Sequence, residues 1–131
     1  MGLLASAQII TGRILVVDDD QGARDLIVSS LRADGHEVDA SGNGFEALRL
    51  LGRKCYDLIV SDLMMPEADG PSLYSAVTLR WPSNPPHFLF VSGLANTSAF
   101  DGFLKVIHAP LLPKPFKIAA LRRAIKRILQ A

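Results

Sequence analysis

The stretch Arg13-Ile-Leu-Val-Val-Asp-Asp-Asp20 decides the fold prediction, because an apolar run is followed at once by three carboxylates. A continuous, largely β-branched run is typical of a strand buried on both faces, as in a parallel sheet. Similar runs at 57–61 and 87–91, with shorter ones at 36–40 and 111–112, predict four further strands. The sequence therefore predicts a five-stranded sheet whose first strand is buried on both faces.

Amphipathic segments separate these strands. Five of them have the three- and four-residue apolar spacing of helices, namely 21–34, 44–54, 71–81, 98–108 and 116–129. Asn43 is expected to cap the second helix, Pro71 suits the first turn of the third, and Gly35 is expected to end the first. Strands that alternate with helices predict a doubly wound α/β fold with a parallel sheet and five helices. The ligand site of such a fold lies at the carboxyl ends of the strands.

Composition excludes several other classes of protein. The chain has 131 residues, of which 49% are hydrophobic and 21% charged, values typical of one soluble globular domain. No apolar run approaches the roughly 18 residues of a membrane span, and residues 1–12 lack the basic start of a secretory signal. A single cysteine, Cys55, excludes an internal disulfide or a zinc site and suits a cytoplasmic protein; it is expected to be a small apolar filler. We expect an N-terminal extension over 1–12 and one domain over 13–131.

Charge is distributed unevenly although the net charge is only +1. Residues 1–101 contain 13 acidic and seven basic side chains, a net charge of −6, whereas residues 102–131 contain seven basic side chains and no acid, a net charge of +7. The basic residues of the last helix, Arg122, Arg123, Lys126 and Arg127, raise the possibility of nucleic-acid binding. Neither a helix-turn-helix nor an aromatic platform accompanies them, so we expect a solvated or protein-facing surface instead.

Polar side chains follow four of the predicted strands. Asp18 and Asp19 follow the first strand, Asp62 the third, Ser92 the fourth and Lys114 the fifth. Crowded carboxylates resist joint ionisation, and a hard divalent cation relieves this repulsion. Oxygen ligands without nearby His or Cys favour Mg²⁺, and a lysine and a hydroxyl beside it suit phosphoryl oxygens. These residue types predict phosphoryl chemistry at one edge of the sheet.

Four motifs in order resemble the receiver domains of two-component response regulators. They are Ile14-Leu-Val-Val-Asp-Asp19, Asp62-Leu-Met-Met-Pro66 with Asp69-Gly70, Val91-Ser92-Gly93 and Leu112-Pro-Lys-Pro-Phe116. Ser92 lies 30 residues after Asp62, and Lys114 lies 22 residues after Ser92, as expected of this family. The resemblance covers about residues 13–130 and implies a flavodoxin-like sheet order of 2-1-3-4-5.

The resemblance implies a role for each matching residue. Asp62 is expected to accept a phosphoryl group from a phosphohistidine on a histidine kinase or histidine phosphotransfer protein. Asp19 and Asp62 are expected to bind Mg²⁺ directly, Asp18 largely through water, and Met64 through its backbone carbonyl. Ser92 and Lys114 are expected to contact the phosphoryl oxygens. The chain would then catalyse only its own phosphorylation and dephosphorylation, and would signal as a monomer or weak dimer to a downstream protein, without contacting nucleic acid or membrane.

Three side chains refine this expectation. Many family members carry Tyr or Phe three residues before the lysine, whereas this chain carries Leu111, which puts aromatic switching in doubt and favours a relay role. Pro115 is expected to fix the loop after Lys114. Met64 and Leu94 flank the expected approach of the hydrolytic water, and neither can activate it, so we expect slow loss of the phosphoryl group.

Two alternatives remain open at this stage. The chain could be a receiver module of a hybrid histidine kinase, in which Leu-Pro-Lys-Pro-Phe is familiar. A phosphatase of the haloacid dehalogenase type would use Asp18 and Asp20, but such an enzyme needs further acids after the lysine, and this chain has none after Asp101. Asp20 alone has the position of a helix cap.

Overall fold

A computed structural model describes residues 10–66, 68–93 and 98–130 of the chain. Five parallel strands form one sheet in the order β2-β1-β3-β4-β5, as the resemblance implied. The strands are β1 (Arg13–Val17), β2 (Glu37–Ser41), β3 (Leu58–Asp62), β4 (His87–Gly93) and β5 (Leu111–Lys114). All carboxyl ends lie at the same edge because every neighbouring pair is parallel. We call this the carboxyl edge and the opposite one the amino edge.

Five α-helices connect and follow the strands in the described part of the chain. They are α1 (Gln21–Ala33), α2 (Gly44–Leu51), α3 (Gly70–Arg80), α4 (Asp101–Ile107) and α5 (Ile118–Gln130). Asp20, Asn43 and Asp69 cap the first three helices by accepting hydrogen bonds from backbone N–H groups of the first turn. Gly35 follows α1 with φ at +92°, which explains why glycine ends that helix.

Every strand and helix predicted from the sequence is present in the structure, but several begin or end at different residues than predicted. The predicted helix over 98–108 divides into a short 3₁₀ turn at Ser98–Phe100 and α4, which has no side-chain cap. The fifth strand extends beyond 111–112 to Lys114, because β5 pairs with β4 as far as Gly93. Strand pairing and tertiary contacts fix such ends more strongly than local preference does.

Two apolar layers cover the sheet. On one face, α1 and α5 pack against alternate strand residues around Ile14, Val60 and Leu121. On the other face, α2, α3 and α4 pack around Leu15, Ile59 and Phe90. β1, β3 and β4 are therefore buried on both sides, which their continuous apolar runs predicted. A sheet held in this way forms a rigid support for the side chains at its carboxyl edge.

One expectation about the surface was wrong. Cys55 is exposed rather than packed as an apolar filler, because it lies in the short turn that leads from α2 into β3.

No helix within residues 10–66, 68–93 and 98–130 is long and apolar enough to cross a membrane.

Candidate functional site

Asp18 follows β1 and is almost fully buried, with 1% of its surface exposed. Its Oδ1 accepts a hydrogen bond from the backbone N–H of Asp20 at 2.9 Å. Its own backbone N–H donates to the carbonyl of Ser41 at 3.1 Å, and its carbonyl accepts from the guanidinium of Arg24 at 2.7 Å. These bonds fix the carboxylate at the end of β1, an interior strand of the sheet.

Asp62 is the last residue of β3 and is 9% exposed. Its Oδ1 accepts a hydrogen bond from the backbone N–H of Met64 at 3.2 Å, which turns the carboxylate toward the start of the following loop. The loop returns close to the strand at Gly70, where an added Cβ would lie 2.9 Å from the carbonyl oxygen of Asp62. Only glycine leaves room for this approach, so Gly70 helps to set the position of Asp62.

Lys114 connects the two buried carboxylates. It is the last residue of β5, and its ammonium donates to Asp18 Oδ2 at 2.8 Å and to Asp62 Oδ2 at 3.0 Å. About a quarter of its side chain is exposed. The bond that follows it, Lys114–Pro115, is cis. A cation thus lies between two carboxylates with one face open to an incoming anion.

Burial and charge act against each other at this site. Burial raises the pKa of Asp62 above its ordinary value, Lys114 opposes this increase, and the charge of Asp18 adds to it. Crowding of the carboxylates contributes as the sequence predicted, but burial is the larger cause. Burial also disfavours the Lys114 ammonium, yet its hydrogen bonds to Asp18 and Asp62 prevail and raise its pKa above the ordinary value. Lys114 therefore remains a cation at neutral pH.

The carboxylates of Asp18, Asp19 and Asp62 form a set that fits a divalent metal ion. One oxygen from each lies within 4.8 Å of the others, and Asp19 is the exposed member at the solvent side. Every donor is a hard oxygen, which suits Mg²⁺ or Ca²⁺ and not zinc. The three carboxylates that the sequence predicted as metal ligands are thus brought together, and the ammonium of Lys114 contacts the two buried ones.

The remaining predicted site residues lie close by in the fold. Ser92 is fully buried near the end of β4, and its hydroxyl donates to the carbonyl of Gly93 at 3.3 Å. The register pairs Asp62 with Val91 and Lys114 with Gly93, so Ser92 lies between the two strands that carry them. The side chain of Met64 is 47% exposed. Leu94, expected beside the path of the hydrolytic water, lies outside the described residues.

Asp20 has a structural role, as its position predicted. Its Oδ1 accepts from the backbone N–H groups of Gly22 at 3.0 Å and Ala23 at 3.4 Å. The phosphatase alternative needs this carboxylate in the reaction centre, where it would share the site with Asp18. Its use as the cap of α1 argues against that alternative.

Two residues that support the site were not assigned to it from the sequence. Arg24 holds the carbonyl of Asp18, but an arginine in the first turn of a helix gives no signal of such a contact. Gly70 was noted only as part of a motif, and its close approach to Asp62 depends on how the β3–α3 loop folds back. The Asp69-Gly70-Pro71 sequence indicates a helix start but not what the glycine touches.

Comparison with curated proteins gives relatives of two kinds. The chain is 35% identical over 124 residues to the sensor kinase CckA of Brucella abortus, covering 89% of this chain and 12% of that protein. It is 33% identical over 118 residues to the response regulator MprA of Mycobacterium leprae, covering 90% of this chain and 51% of that protein. The chain therefore spans about half of the regulator and a small part of the kinase.

Two solved structures match this chain along nearly their whole length. The receiver domain of the Francisella response regulator 1452 superposes with a TM-score of 0.78 at 30% identity, covering 91% of this chain and 97% of that one. The chemotaxis protein CheY4 of Vibrio cholerae gives a TM-score of 0.80 at 26% identity, with 90% and 98% covered. The family model for the response regulator receiver domain matches residues 14–126 of this chain. With the strand order and the carboxyl-edge site above, these matches show that the chain belongs to the receiver domain family of two-component response regulators.

Proposed function

We propose that the chain accepts a phosphoryl group on Asp62 from a phosphohistidine of a histidine kinase or histidine phosphotransfer protein. The observation that carries this proposal is the contact of the Lys114 ammonium with both Asp18 and Asp62 at the carboxyl edge. A carboxylate held beside a cation at the partly open end of a rigid sheet can serve as a nucleophile toward a phosphoryl donor. The family assignment supports the same chemistry.

The residues divide the work of transfer between them. A carboxylate oxygen of Asp62 forms a bond to phosphorus while the phosphorus–nitrogen bond of the donor breaks, and the electron pair stays on the imidazole. Lys114 neutralises charge on one phosphoryl oxygen, since its ammonium already lies 3.0 Å from Asp62. Ser92 supplies a hydroxyl to another oxygen after giving up its bond to the Gly93 carbonyl.

Asp18, Asp19 and Asp62, with the carbonyl of Met64, would hold Mg²⁺. When bound, it supplies positive charge to the phosphoryl oxygens and offsets the repulsion among the carboxylates. The buried Asp18, whose Oδ2 accepts a hydrogen bond from Lys114, would act largely through water, as the family resemblance implies. The exposed Asp19 carboxylate is free to turn toward a cation from the solvent side.

The protein would act as a relay that passes on the phosphoryl group, and not as an enzyme that acts on separate substrates. Leu111, at the start of β5, packs in the apolar layer that contains Phe90 and Phe103. It has no aromatic ring that could change rotamer when the site is phosphorylated. The chain would pass on the phosphoryl group or bind a downstream protein in the cytoplasm. A receiver module of a hybrid kinase would use the same site, and the match to CckA makes that form equally compatible.

Phosphoramidate tests the proposal directly, because it offers the phosphorus–nitrogen bond of a phosphohistidine. The chain incubated with phosphoramidate and Mg²⁺ should gain the mass of one phosphoryl group, and excess EDTA should prevent the gain. The product should be labile to alkali, as an acyl phosphate is. A gain that is equal in EDTA and in Mg²⁺, or that survives alkali, would exclude the proposed reaction.

A further inference from the structure

Three arginines lie at the amino edge of the sheet, at the end opposite Asp62. Arg49 lies in the last turn of α2, Arg53 follows that helix, and Arg80 ends α3. The two helices pack side by side, and a Cβ at Gly52 would lie 3.4 Å from a guanidinium nitrogen of Arg80. All three side chains are exposed. We call them the arginine cluster.

No carboxylate pairs with the arginine cluster within residues 10–66, 68–93 and 98–130. Arg13 and Arg122, by contrast, bind Glu37 and Asp34. Cations in the last turn of a helix interact favourably with its dipole, but Arg53 lies beyond the end of α2, and it lies four residues from Arg49. The three unpaired cations therefore leave a positive surface at this edge of the sheet, and a ligand with negative charge would complement it.

An aromatic cleft lies beside the arginine cluster. The guanidinium carbon of Arg80 lies 4.9 Å from the centre of the Trp81 ring, a cation–π contact. Trp81, Tyr56, Leu51 and Pro86 line a cavity of about 190 Å³. Tryptophan, tyrosine and arginine are the residues most enriched among those that dominate binding energy at protein interfaces.

We propose that the arginine cluster and this cleft bind an acidic peptide segment of a partner protein. Its carboxylates would pair with the arginines, and one of its apolar or aromatic side chains would enter the cleft beside Trp81. Asp57 also lines the cleft, so the side chain that enters beside Trp81 is uncharged, and the carboxylates of the peptide lie on the side of the arginine cluster. Three arginines also fall short of the six to ten phosphate contacts that are typical of strong nucleic-acid binding. The chemistry therefore favours a short acidic peptide.

The surface is separate from the phosphoryl chemistry. α2 and α3 run from the carboxyl edge to the amino edge, so the whole length of the sheet separates the arginine cluster from Asp62. A partner bound there leaves the phosphoryl site open to a histidine-bearing protein. The proposal goes beyond the function proposed above, and its test does not depend on phosphorylation.

Trp81 is the only tryptophan in the chain, so its fluorescence reports directly on the cleft. The probe is the synthetic peptide Asp-Glu-Asp-Phe-Glu-Asp-Glu, compared with Asn-Gln-Asn-Phe-Gln-Asn-Gln. We expect the acidic peptide to change the emission saturably and the neutral peptide to bind at least about fivefold more weakly, as loss of exposed ion pairs predicts. Asp62→Asn should bind the acidic peptide as the wild type does.

A matched pair of variants distinguishes the cluster from general charge. Arg49→Gln combined with Arg53→Gln should weaken binding about fivefold or more, whereas Arg123→Gln with Arg127→Gln on α5 removes the same charge and should leave it unchanged. Circular dichroism and thermal melting verify that both variants fold. Equal weakening in the two variants, no saturable response, or tighter binding of a single-stranded oligonucleotide at Trp81 would overturn the proposal.

Discussion

The ammonium of Lys114 lies 3.0 Å from Oδ2 of Asp62, although 52 residues separate them in the sequence. The contact joins the ends of β5 and β3, which are not neighbours in the sheet because β4 lies between them. The lysine side chain must therefore pass over the end of β4 to reach both Asp62 and Asp18. This geometry makes Lys114 a structural support for the two carboxylates, in addition to the role proposed for it above.

We expect Lys114→Gln to destabilise the protein and to slow phosphorylation. Asp18 and Asp62 would lose the cation that they share. Leaving two mostly buried carboxylates without a cation lowers the free energy of unfolding by about 1–3 kcal/mol. Urea denaturation in EDTA measures this loss, and Mg²⁺ should recover part of it. The control is Lys117→Gln, because Lys117 is exposed and lies three residues further along. Equal stability of the two variants would show that the ion pairs contribute little.

We expect Gly70→Ala to disturb the site through the backbone. The new methyl group would lie 2.9 Å from the carbonyl oxygen of Asp62 and 3.0 Å from Cα of Leu63, so the β3–α3 loop must shift. Overpacking of this kind costs about 1–3 kcal/mol of unfolding free energy, and the displaced Asp62 should react more slowly with phosphoramidate. Thermal melting and the rate of mass gain measure the two effects.

Gly102→Ala is the matched control for that experiment. Nothing lies within 4 Å of the position of its Cβ, and the residue lies inside α4. Alanine is the better helix former by about 0.5–1 kcal/mol, so this variant should be slightly more stable than the wild type. A Gly70→Ala protein that melts and reacts like the Gly102→Ala protein would contradict the proposed close contact.

Asp39 and Tyr56 should make stability depend on pH at both extremes. The Tyr56 hydroxyl donates to Asp39 Oδ2 at 2.6 Å, and this bond is the main cause that holds the pKa of Asp39 below its ordinary value. Its contribution to stability is present above the unfolded pKa of about 3.9 and is lost as pH falls through the lower folded value. Burial and the same bond raise the pKa of Tyr56, so its contribution is complete below about pH 10 and is lost above it.

Carbon-detected NMR titration of the Asp39 carboxyl group checks the pairing. Tyr56→Phe should move the pKa of Asp39 upward, because the hydrogen bond from Tyr56 is the largest single influence that lowers it. In denaturant titrations, the decline of wild-type stability above pH 10 should be smaller in Tyr56→Phe. An Asp39 pKa that is the same in the wild type and in Tyr56→Phe would refute this assignment.

We expect the phosphoryl group to leave slowly once it is attached. The Met64 backbone binds Asp62 Oδ1 while its side chain is apolar and half exposed, so it offers nothing that positions a water molecule beside the acceptor. Met64→Asn should accelerate phosphoryl loss up to about tenfold, equivalent to about 1.4 kcal/mol in the barrier. Leu94→Glu tests the second predicted position. Unchanged or slower loss in both variants would refute the argument.

Strand positions could be predicted because this sheet is buried on both faces. The runs that begin at Ile14, Leu58 and Phe88 have no polar interruption, so their character was visible without any partner strand. The meeting of Asp18, Asp62 and Lys114 then followed from topology, since parallel strands place their carboxyl ends at one edge. Side-chain types at those ends were enough to predict a phosphoryl site.

Contacts that depend on how loops return to the sheet could not be predicted. Gly70 touches the Asp62 backbone, and Arg24 binds the Asp18 carbonyl, but neither contact leaves a periodic signal in the sequence. The arginine cluster likewise joins the ends of two helices that are 27 residues apart in the chain, from Arg53 to Arg80. Cys55 was misjudged because a residue just beyond a helix end can face either the core or solvent.

The most direct test of the account is the acceptor identity at Asp62. Wild type, Asp62→Asn and Asp69→Asn are incubated with phosphoramidate and Mg²⁺ and analysed by intact mass; Asp69 is the matched control because it caps α3 rather than forming part of the carboxylate set. We expect one added phosphoryl group on the wild type and on Asp69→Asn, and none on Asp62→Asn. Stoichiometric modification of folded Asp62→Asn would contradict the central claim.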